Sequence, residues 1–472
     1  MRELGRPVLA AAAVVVCGAV MTILDSTIVN VAIERLAVVF DVRLSTIQWV
    51  STAYLLAIAA AIPLAGWAAD RFGTRAAFMA AVTGFAAGSL LCGLAWSAGS
   101  LIAFRVLQGL GGGLVMPVGM TILAHAAGPD RMGRVLALVG VPMLLAPALG
   151  PVLGGALIDG ASWRLIFFVN LPVAALALVL AARVLPRGTG TRTETLDVTG
   201  LALLSPGLTA LVAGLAVPSG GAVAHAAFLL GGLALIGAFV RHSLRVERPL
   251  IDVRMFKDRV VAASTATTLL FGAAFFGSLL LLALYYQIAR GHSALGTGAV
   301  LAAQGVGAMF TMPIAGKLTD KHGAGPVVRI GLALALLGTL PFAFVAGGVP
   351  GWVLVLGLLL RGAGMGATLM PAMAAAYQVL PESKVARAAS ALEIAQRAGA
   401  TLGIALLAVI LQHGLSARGF HGGLGALDDA PREPLAAAAG TTFLWALALT
   451  AVTLVPALFL TPRRVAALAP AN

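Results

Sequence analysis

The sequence predicts an all-α integral membrane protein of two six-helix bundles with two helices inserted between them, 14 transmembrane helices in all. Three observations predict it. Of 472 residues, 60% are hydrophobic and 10% charged, and the mean hydropathy is +1.00. A soluble domain carries about 25% charged residues, so this chain cannot cover a water-facing surface, which excludes a soluble enzyme and a disordered chain alike. Apolar runs of the length a bilayer demands, about 20 residues, recur from end to end. The loops between those runs alternate in charge.

Taken in order, the first run covers 8–33. Arg2 and Arg6 precede it as in a signal peptide, but no small-x-small cleavage site follows, and Asp25 and Asn30 continue the helix. An uncleaved first span is expected. Runs follow at 48–69, 76–96, 100–122, 135–158 and 165–182. Between Asp197 and Arg241 no Asp, Glu, Lys or Arg occurs, and Pro218-Ser219-Gly220-Gly221 divides this stretch into two inserted helices. Six further runs lie at 260–288, 294–316, 327–346, 352–378, 390–413 and 436–460, separated by turns such as Gly347 to Gly351. The expected domains are residues 1–190, a linker 191–258 carrying the inserted helices, and residues 259–472.

With that count, most Lys and Arg fall into one alternate set of loops, and only Arg35, Arg43, Arg164, Arg290, Arg418 and Arg432 into the other. Positive charge stays on the cytoplasmic side, so both termini are expected there. The same asymmetry accounts for the net charge of +13 without nucleic acid as a partner. Cys17 and Cys92 lie in apolar runs and make neither a disulfide framework nor a metal site.

The chain also repeats itself. Gly66, Asp70 and Gly73 recur 250 positions later as Gly316, Asp320 and Gly323, with Arg71 answered by Lys321. Arg105, Met116 and Pro117 in the fourth span are answered by Arg361, Met370 and Pro371 in the twelfth, with a two-residue slip. Transporters are commonly built from such repeated halves, with a site near the bilayer midplane.

Asp25 is the sharpest candidate. A charge at mid-membrane is costly, about 2.5–3.5 kcal/mol on insertion scales. Apolar surroundings favour the protonated form of a carboxyl, so Asp25 is a candidate proton carrier; the plainer alternative is a carboxylate that reaches water or caps a neighbouring helix. Arg105 cannot give up its proton and needs a carboxylate, carbonyls or cavity water. It either pairs with Asp25 in one state and leaves it in another, or snorkels to the external interface. Gln108, one turn on, is placed to hold the guanidinium. Glu393 and Arg397, spaced i, i+4, share a helix face, either as a self-neutralised pair or as a second proton site. Gly66, Asp70, Arg71, Gly73 and Arg75 form a turn with a candidate cytoplasmic latch, repeated at Asp320. Gly150, Pro151, Gly154 and Gly155, with Pro142 and Pro147, describe a helix that bends and packs closely, expected against a partner across the seam of the halves.

These motifs resemble the major facilitator superfamily, specifically the 14-helix drug:proton antiporters of EmrB/QacA type. Leu24-Asp25-Ser26-Thr27-Ile28-Val29-Asn30 is similar to that group's first-helix motif, Gly66 to Arg75 to its loop motif, and Arg105-x-x-Gln108-Gly109-x-Gly111 to its proton-coupling motif. Gly150-Pro151-x-x-Gly154-Gly155 resembles its export-associated motif, and Trp163-Arg164-x-x-Phe167-Phe168-x-Asn170-Leu171-Pro172 is typical of the 14-helix group. The resemblance implies a major facilitator fold in a bacterial cytoplasmic membrane, working as a monomer by alternating access. It implies drug or antibiotic efflux in exchange for protons, with no other cofactor, no metal and no enzymatic activity. Candidate cavity residues are Asn30, Tyr54, Met116, Tyr285, Tyr286, Gln304, Met309, Phe310, Tyr377 and Gln396; aromatics and Met suit lipophilic molecules and cations. Relatives handling dications carry acids in the tenth span, and none lies in 294–316, so a lipophilic substrate, neutral to monocationic or zwitterionic, is expected. Membrane lipid is the surrounding partner. Export of an endogenous lipid or metabolite by the same machinery is the alternative.

Overall fold

In the computed structural model, the described residues are 5–160, 162–187, 195–216, 222–420 and 432–460, and every regular element among them is helical. The apolar runs fall on helices. The first half holds α1 (Arg6–Phe40), the one-turn α2 (Leu44–Ile47), α3 (Trp49–Ala61), α4 (Leu64–Phe72), α5 (Thr74–Gly93), α6 (Ala98–Ala127), α7 (Met132–Gly160), the short α8 (Leu165–Phe168) and α9 (Asn170–Val184). The inserted pair is α10 (Val198–Ala216) and α11 (Ala222–Ser243). The second half holds α12 (Arg259–Leu284), α13 (Ala294–His322), α14 (Ala324–Ala343), α15 (Gly351–Val379), α16 (Glu382–Ser416), α17 (Arg432–Val452) and the short α18 (Leu454–Ala457).

Eleven stretches of these helices, one of them α8 and α9 together, are long and apolar enough to cross a membrane, and twelve if α3 and α4 count as one. Helix length and hydropathy therefore support a multi-pass protein of 11 to 12 spans among the described residues rather than the full expected count. The α3–α4 pair bends by 54° where Pro63 withholds a backbone donor. Sequence-local signals set several other ends. The Asp258 carboxylate caps α12 by accepting from Val260 N at 2.8 Å, and Ser293 caps α13 by accepting from Gly296 N at 3.1 Å. Arg2, Arg192, Arg463, Arg464, the break at 218–221 and the Pro151 side chain lie outside the described residues.

The chain divides into two units. Unit 1 is Met1–Ala127, Val141–Arg254 and Pro381–Ile394; unit 2 is Gly128–Gly140, Met255–Leu380 and Ala395–Asn472. The inserted helices fall in unit 1, where Ser205 of α10 donates to the Ala60 carbonyl of α3 at 2.7 Å. One face of α11 stays exposed, Val223 at 85% and Leu230 at 67%, while Phe239 is buried, as suits a helix with one side facing lipid.

Each unit is closed by glycines at matching places. In unit 1, a Cβ on Gly88 of α5 would lie 2.5 Å from the Gln108 Cα of α6; in unit 2, one on Gly338 of α14 would lie 2.5 Å from the Arg361 nitrogen of α15. Small residues let helices approach to backbone contact, which replaces the hydrophobic drive that lipid removes. Gly88→Ala is expected to push α5 from α6 and cost about 1–3 kcal/mol, read as a lower melting temperature in detergent. An unchanged melting temperature would show that the backbones yield freely.

The repeat reappears as geometry. Gly73 ends α4 at φ 81 and ψ 150, and Gly323 ends α13 at φ 84 and ψ 164. Both lie in a region that side-chain-bearing residues avoid.

Between the inserted pair and unit 1's linker, Asp197 accepts from Gly200 N at 2.8 Å, Leu250 N at 3.1 Å and His242 Nε2 at 2.8 Å. Burial alone would raise this carboxyl, but the three donors outweigh it and hold Asp197 below its ordinary value. A depressed folded pKa gives stability that is present above the unfolded value, about 3.9, and is lost as pH falls through the folded one. The melting-temperature difference between the wild type and Asp197→Asn is therefore expected to be constant at neutral pH and to shrink below about pH 4. A difference that grows on acidification would refute this account of Asp197.

Candidate functional site

A buried polar cluster of unit 1 is built on Asp25, just past the middle of α1 and 0% exposed. Its Oδ2 accepts from Arg105 Nη1 of α6 at 2.5 Å. Its Oδ1 accepts from Gln108 Nε2 at 2.8 Å and from Asn170 Nδ2 of α9 at 2.8 Å. Arg105 and Gln108 are one turn apart, so α6 presents both to the same carboxylate. Gln108 Oε1 in turn accepts from Arg105 Nη1 at 2.8 Å and from the Cys92 thiol at 3.5 Å. Arg105 Nε donates to the Val50 carbonyl of α3 at 3.1 Å, and the guanidinium lies 3.7 Å from the centre of the Tyr54 ring. Asn170 Nδ2 also donates to Ser89 Oγ of α5 at 3.0 Å, and Ser89 donates to the Phe167 carbonyl at 2.8 Å. Five helices thus converge on one ion pair.

Local chemistry explains why the cluster holds. A buried carboxylate or guanidinium left alone is strongly unfavourable. Here each charge neutralises the other, and the remaining lone pairs and donors find amides, a carbonyl and an aromatic face. Arg105, at 1% exposure, does not snorkel to an interface. Asn170 is the residue that sequence reasoning missed. It stands in a motif quoted above, but its distance of 145 positions from Asp25 carries no local signal; an amide inside an apolar run was the only available sign.

The glycine-rich face of α7 abuts this region. A Cβ on Gly150 would strike Thr27 of α1, and one on Gly154 would meet Ile28 at 3.3 Å, whereas Gly155 faces open space. The close partner of Gly150 and Gly154 is therefore α1, within one turn of Asp25. α7 continues as helix through Pro142, Pro147 and Pro151.

The two copies of the loop motif dock alike, each within one unit. In unit 1, Asp70 pairs with Arg387 Nε of α16 at 3.4 Å, and Gly66 lies against the Arg387 backbone. In unit 2, Asp320 accepts from Gly133 N at 2.8 Å, Arg134 N at 3.3 Å and Arg134 Nε at 2.7 Å, at the start of α7. A carboxylate there satisfies donors that have no intrahelical acceptor. Arg75 donates to the Leu185 carbonyl at 3.2 Å, which ties α5 to the end of α9. Arg71 is half-buried beside Asp70 in sequence. Glu393 is buried and Arg397 half-buried on α16.

The expected cavity residues are shared between the two units. Tyr54 lies under Arg105, Asn30 is exposed and accepts from Ser51 at 2.9 Å, and Met116 is buried in α6. In unit 2, Tyr285 and Tyr286 sit on a π-helical turn that closes α12, with Tyr285 OH accepting from Arg290 Nε at 2.7 Å. Gln304 is buried against Arg361, Tyr377 is buried in α15, Met309 and Gln396 are half-buried, and Phe310 is 67% exposed. Among the described residues no group of three His, Cys, Asp or Glu is placed to hold a metal.

With this geometry in hand, similarity to known proteins is informative. The Major Facilitator Superfamily model matches residues 15–404. A multidrug resistance protein B homolog of Mycobacterium tuberculosis is 45% identical over 409 residues, covering 85% of this chain and 76% of that protein. The tetracenomycin C resistance and export protein of Streptomyces glaucescens is 30% identical over 420 residues, covering 86% of this chain and 76% of that protein. Among solved structures, a proton:xylose symporter of the same superfamily superposes with a TM-score of 0.61 at 15% identity, over 96% of this chain and 97% of that one; at that identity the likeness speaks for the fold.

Proposed function

The chain belongs to the major facilitator superfamily of multi-pass membrane transporters, and from that premise we propose that it exports lipophilic drug-like molecules in exchange for protons. Its relatives include proteins of multidrug resistance and antibiotic export. The observation that carries the proton assignment is the Asp25–Arg105–Gln108–Asn170 cluster. A proton on Asp25 cancels the charge that Arg105 faces. The guanidinium then lacks its counter-charge in a low-dielectric site and must turn to other acceptors, while Gln108 and Asn170 lose a charged acceptor. Because these partners stand on α3, α5, α6 and α9, proton occupancy biases the packing of the unit around α1, and so the exchange between inward- and outward-open states. Each proton entering supplies about 2.3 kcal/mol per 100 mV of membrane potential. The two docked loop motifs at Asp70 and Asp320 serve as latches of one state.

In this reading the protein has 14 spans in a bacterial cytoplasmic membrane, with both termini cytoplasmic and Asp70, Asp320 and their arginines on the cytoplasmic side. It acts as a monomer without a cofactor other than the coupling proton. The test is transport of a panel of fluorescent cations and neutral drugs by proteoliposomes under an imposed pH gradient. Substrate movement that stops on adding an uncoupler is expected; movement indifferent to the uncoupler overturns the antiport reading.

A further inference from the structure

Arg361 occupies in unit 2 the place that Arg105 holds in unit 1, and it is 3% exposed. Its surroundings differ above all in charge. Where α1 brings Asp25 to Arg105, α12 brings Ser278, whose Oγ accepts from Arg361 Nη2 at 2.8 Å. Gln304 Oε1 of α13 accepts from Nε at 2.9 Å, Thr339 Oγ1 of α14 accepts from Nη1 at 2.9 Å, and the Phe275 ring lies 5.2 Å away. These acceptors, and the Phe275 carbonyl that accepts from Nη2 at 3.5 Å, are neutral, and among the described residues Arg361 forms no ion pair.

Neutral oxygens satisfy hydrogen bonds without cancelling charge, and an arginine cannot shed its proton to relieve the strain. The chain has thus gathered polar groups from three helices around a buried positive charge and left it without a counter-charge. The Gln304 amide nitrogen finds no acceptor among the described residues, and Gln304 is the member of the group with the most residual exposure, at 7%. Free donors beside a fixed cation complement an anion that carries oxygen acceptors, and a guanidinium recognises such a group through paired hydrogen bonds. Phe271 and Phe275, stacked 5.7 Å apart at 24°, are buried beside it and make its surroundings apolar.

We propose that Arg361 and Gln304 form a substrate subsite that takes the carboxylate or phenolate of an exported aromatic molecule. The assignment rests on the export reading above and extends its substrate range to molecules with an acidic group. The probes are 1-pyrenebutyrate and its uncharged amide, titrated by fluorescence against the full-length protein in detergent at neutral pH. The wild type is expected to bind the carboxylate about tenfold more tightly than the amide, a difference of about 1.4 kcal/mol. Arg361→Gln is expected to erase that preference while its affinity for the amide stays the same. No preference in the wild type, or a preference kept in Arg361→Gln, overturns the proposal.

Gln304→Glu provides a second arm that keeps the arginine. It places a carboxylate of the chain in the site, so the melting temperature is expected to rise and the preference for the carboxylate probe to vanish; a lower melting temperature overturns the proposal. Stabilisation by chloride over gluconate, without a carboxylate preference, assigns the site to an inorganic anion and also overturns it. Binding is read with no gradient present. Its failure therefore leaves proton-driven export standing, and failed transport in proteoliposomes leaves the binding result intact.

Discussion

Asp25→Asn is expected to abolish drug-driven proton movement in proteoliposomes, down to the level of protein-free vesicles. Asparagine matches aspartate in shape, and it can still accept from Arg105 or Gln108 through its one oxygen. It cannot take up and release a proton at any pH of the cell, so the coupled step is lost whole. The substitution also removes the counter-charge of a guanidinium at 1% exposure, and breaking such a buried pair costs about 3–5 kcal/mol. A lower melting temperature is therefore expected together with the loss of coupling. The fold is nevertheless expected to survive, because unit 2 already holds Arg361 on neutral acceptors alone. Proton release at wild-type levels from a folded Asp25→Asn protein would end the assignment of Asp25 as proton carrier.

Arg105→Lys is expected to be nearly as damaging, although it keeps the charge. Arg105 donates at once to Val50, Asp25 and Gln108 and sits over the Tyr54 ring. A lysine ammonium is a compact point charge that cannot reach in those directions from one stem. Losing one hydrogen bond that involves a charged group costs about 1.5–3 kcal/mol, which corresponds to about a tenfold to hundredfold slower coupled transport. Transport initial rates measure it, with circular dichroism to confirm that the helices remain. Rates within twofold of the wild type would mean that charge alone, and not the fork geometry, serves the site.

Much of the fold was legible because a bilayer imposes simple rules. Apolar runs of fixed length, alternating loop charge and glycines at 250-residue offsets place the long apolar helices and foretell the matching turns at Gly73 and Gly323. The exact number of spans was less legible. Short or bent helices such as α3, α4 and α10 blur the length criterion, and composition alone does not say which of them crosses.

The candidate site divides in the same way. Asp25, Arg105 and Gln108 stood out as polar residues in places where lipid tolerates none without a purpose. Asn170 and Ser89 did not, since their role depends on α9 and α5 arriving beside α1. The latches follow this pattern too. The sequence marks Asp70 and Asp320 as a repeat, yet only folding matches them to Arg387 and to the start of α7.

By itself, then, the sequence determined that this chain is helical, membrane-embedded, duplicated and furnished with one acid in its first span, because those properties follow from composition and period. Tertiary structure alone decided which charges are neutralised. Arg105 and Arg361 are equivalent in the repeat, but among the described residues only Arg105 finds a carboxylate, because the balance of a buried charge is settled by what neighbouring helices bring within hydrogen-bonding distance.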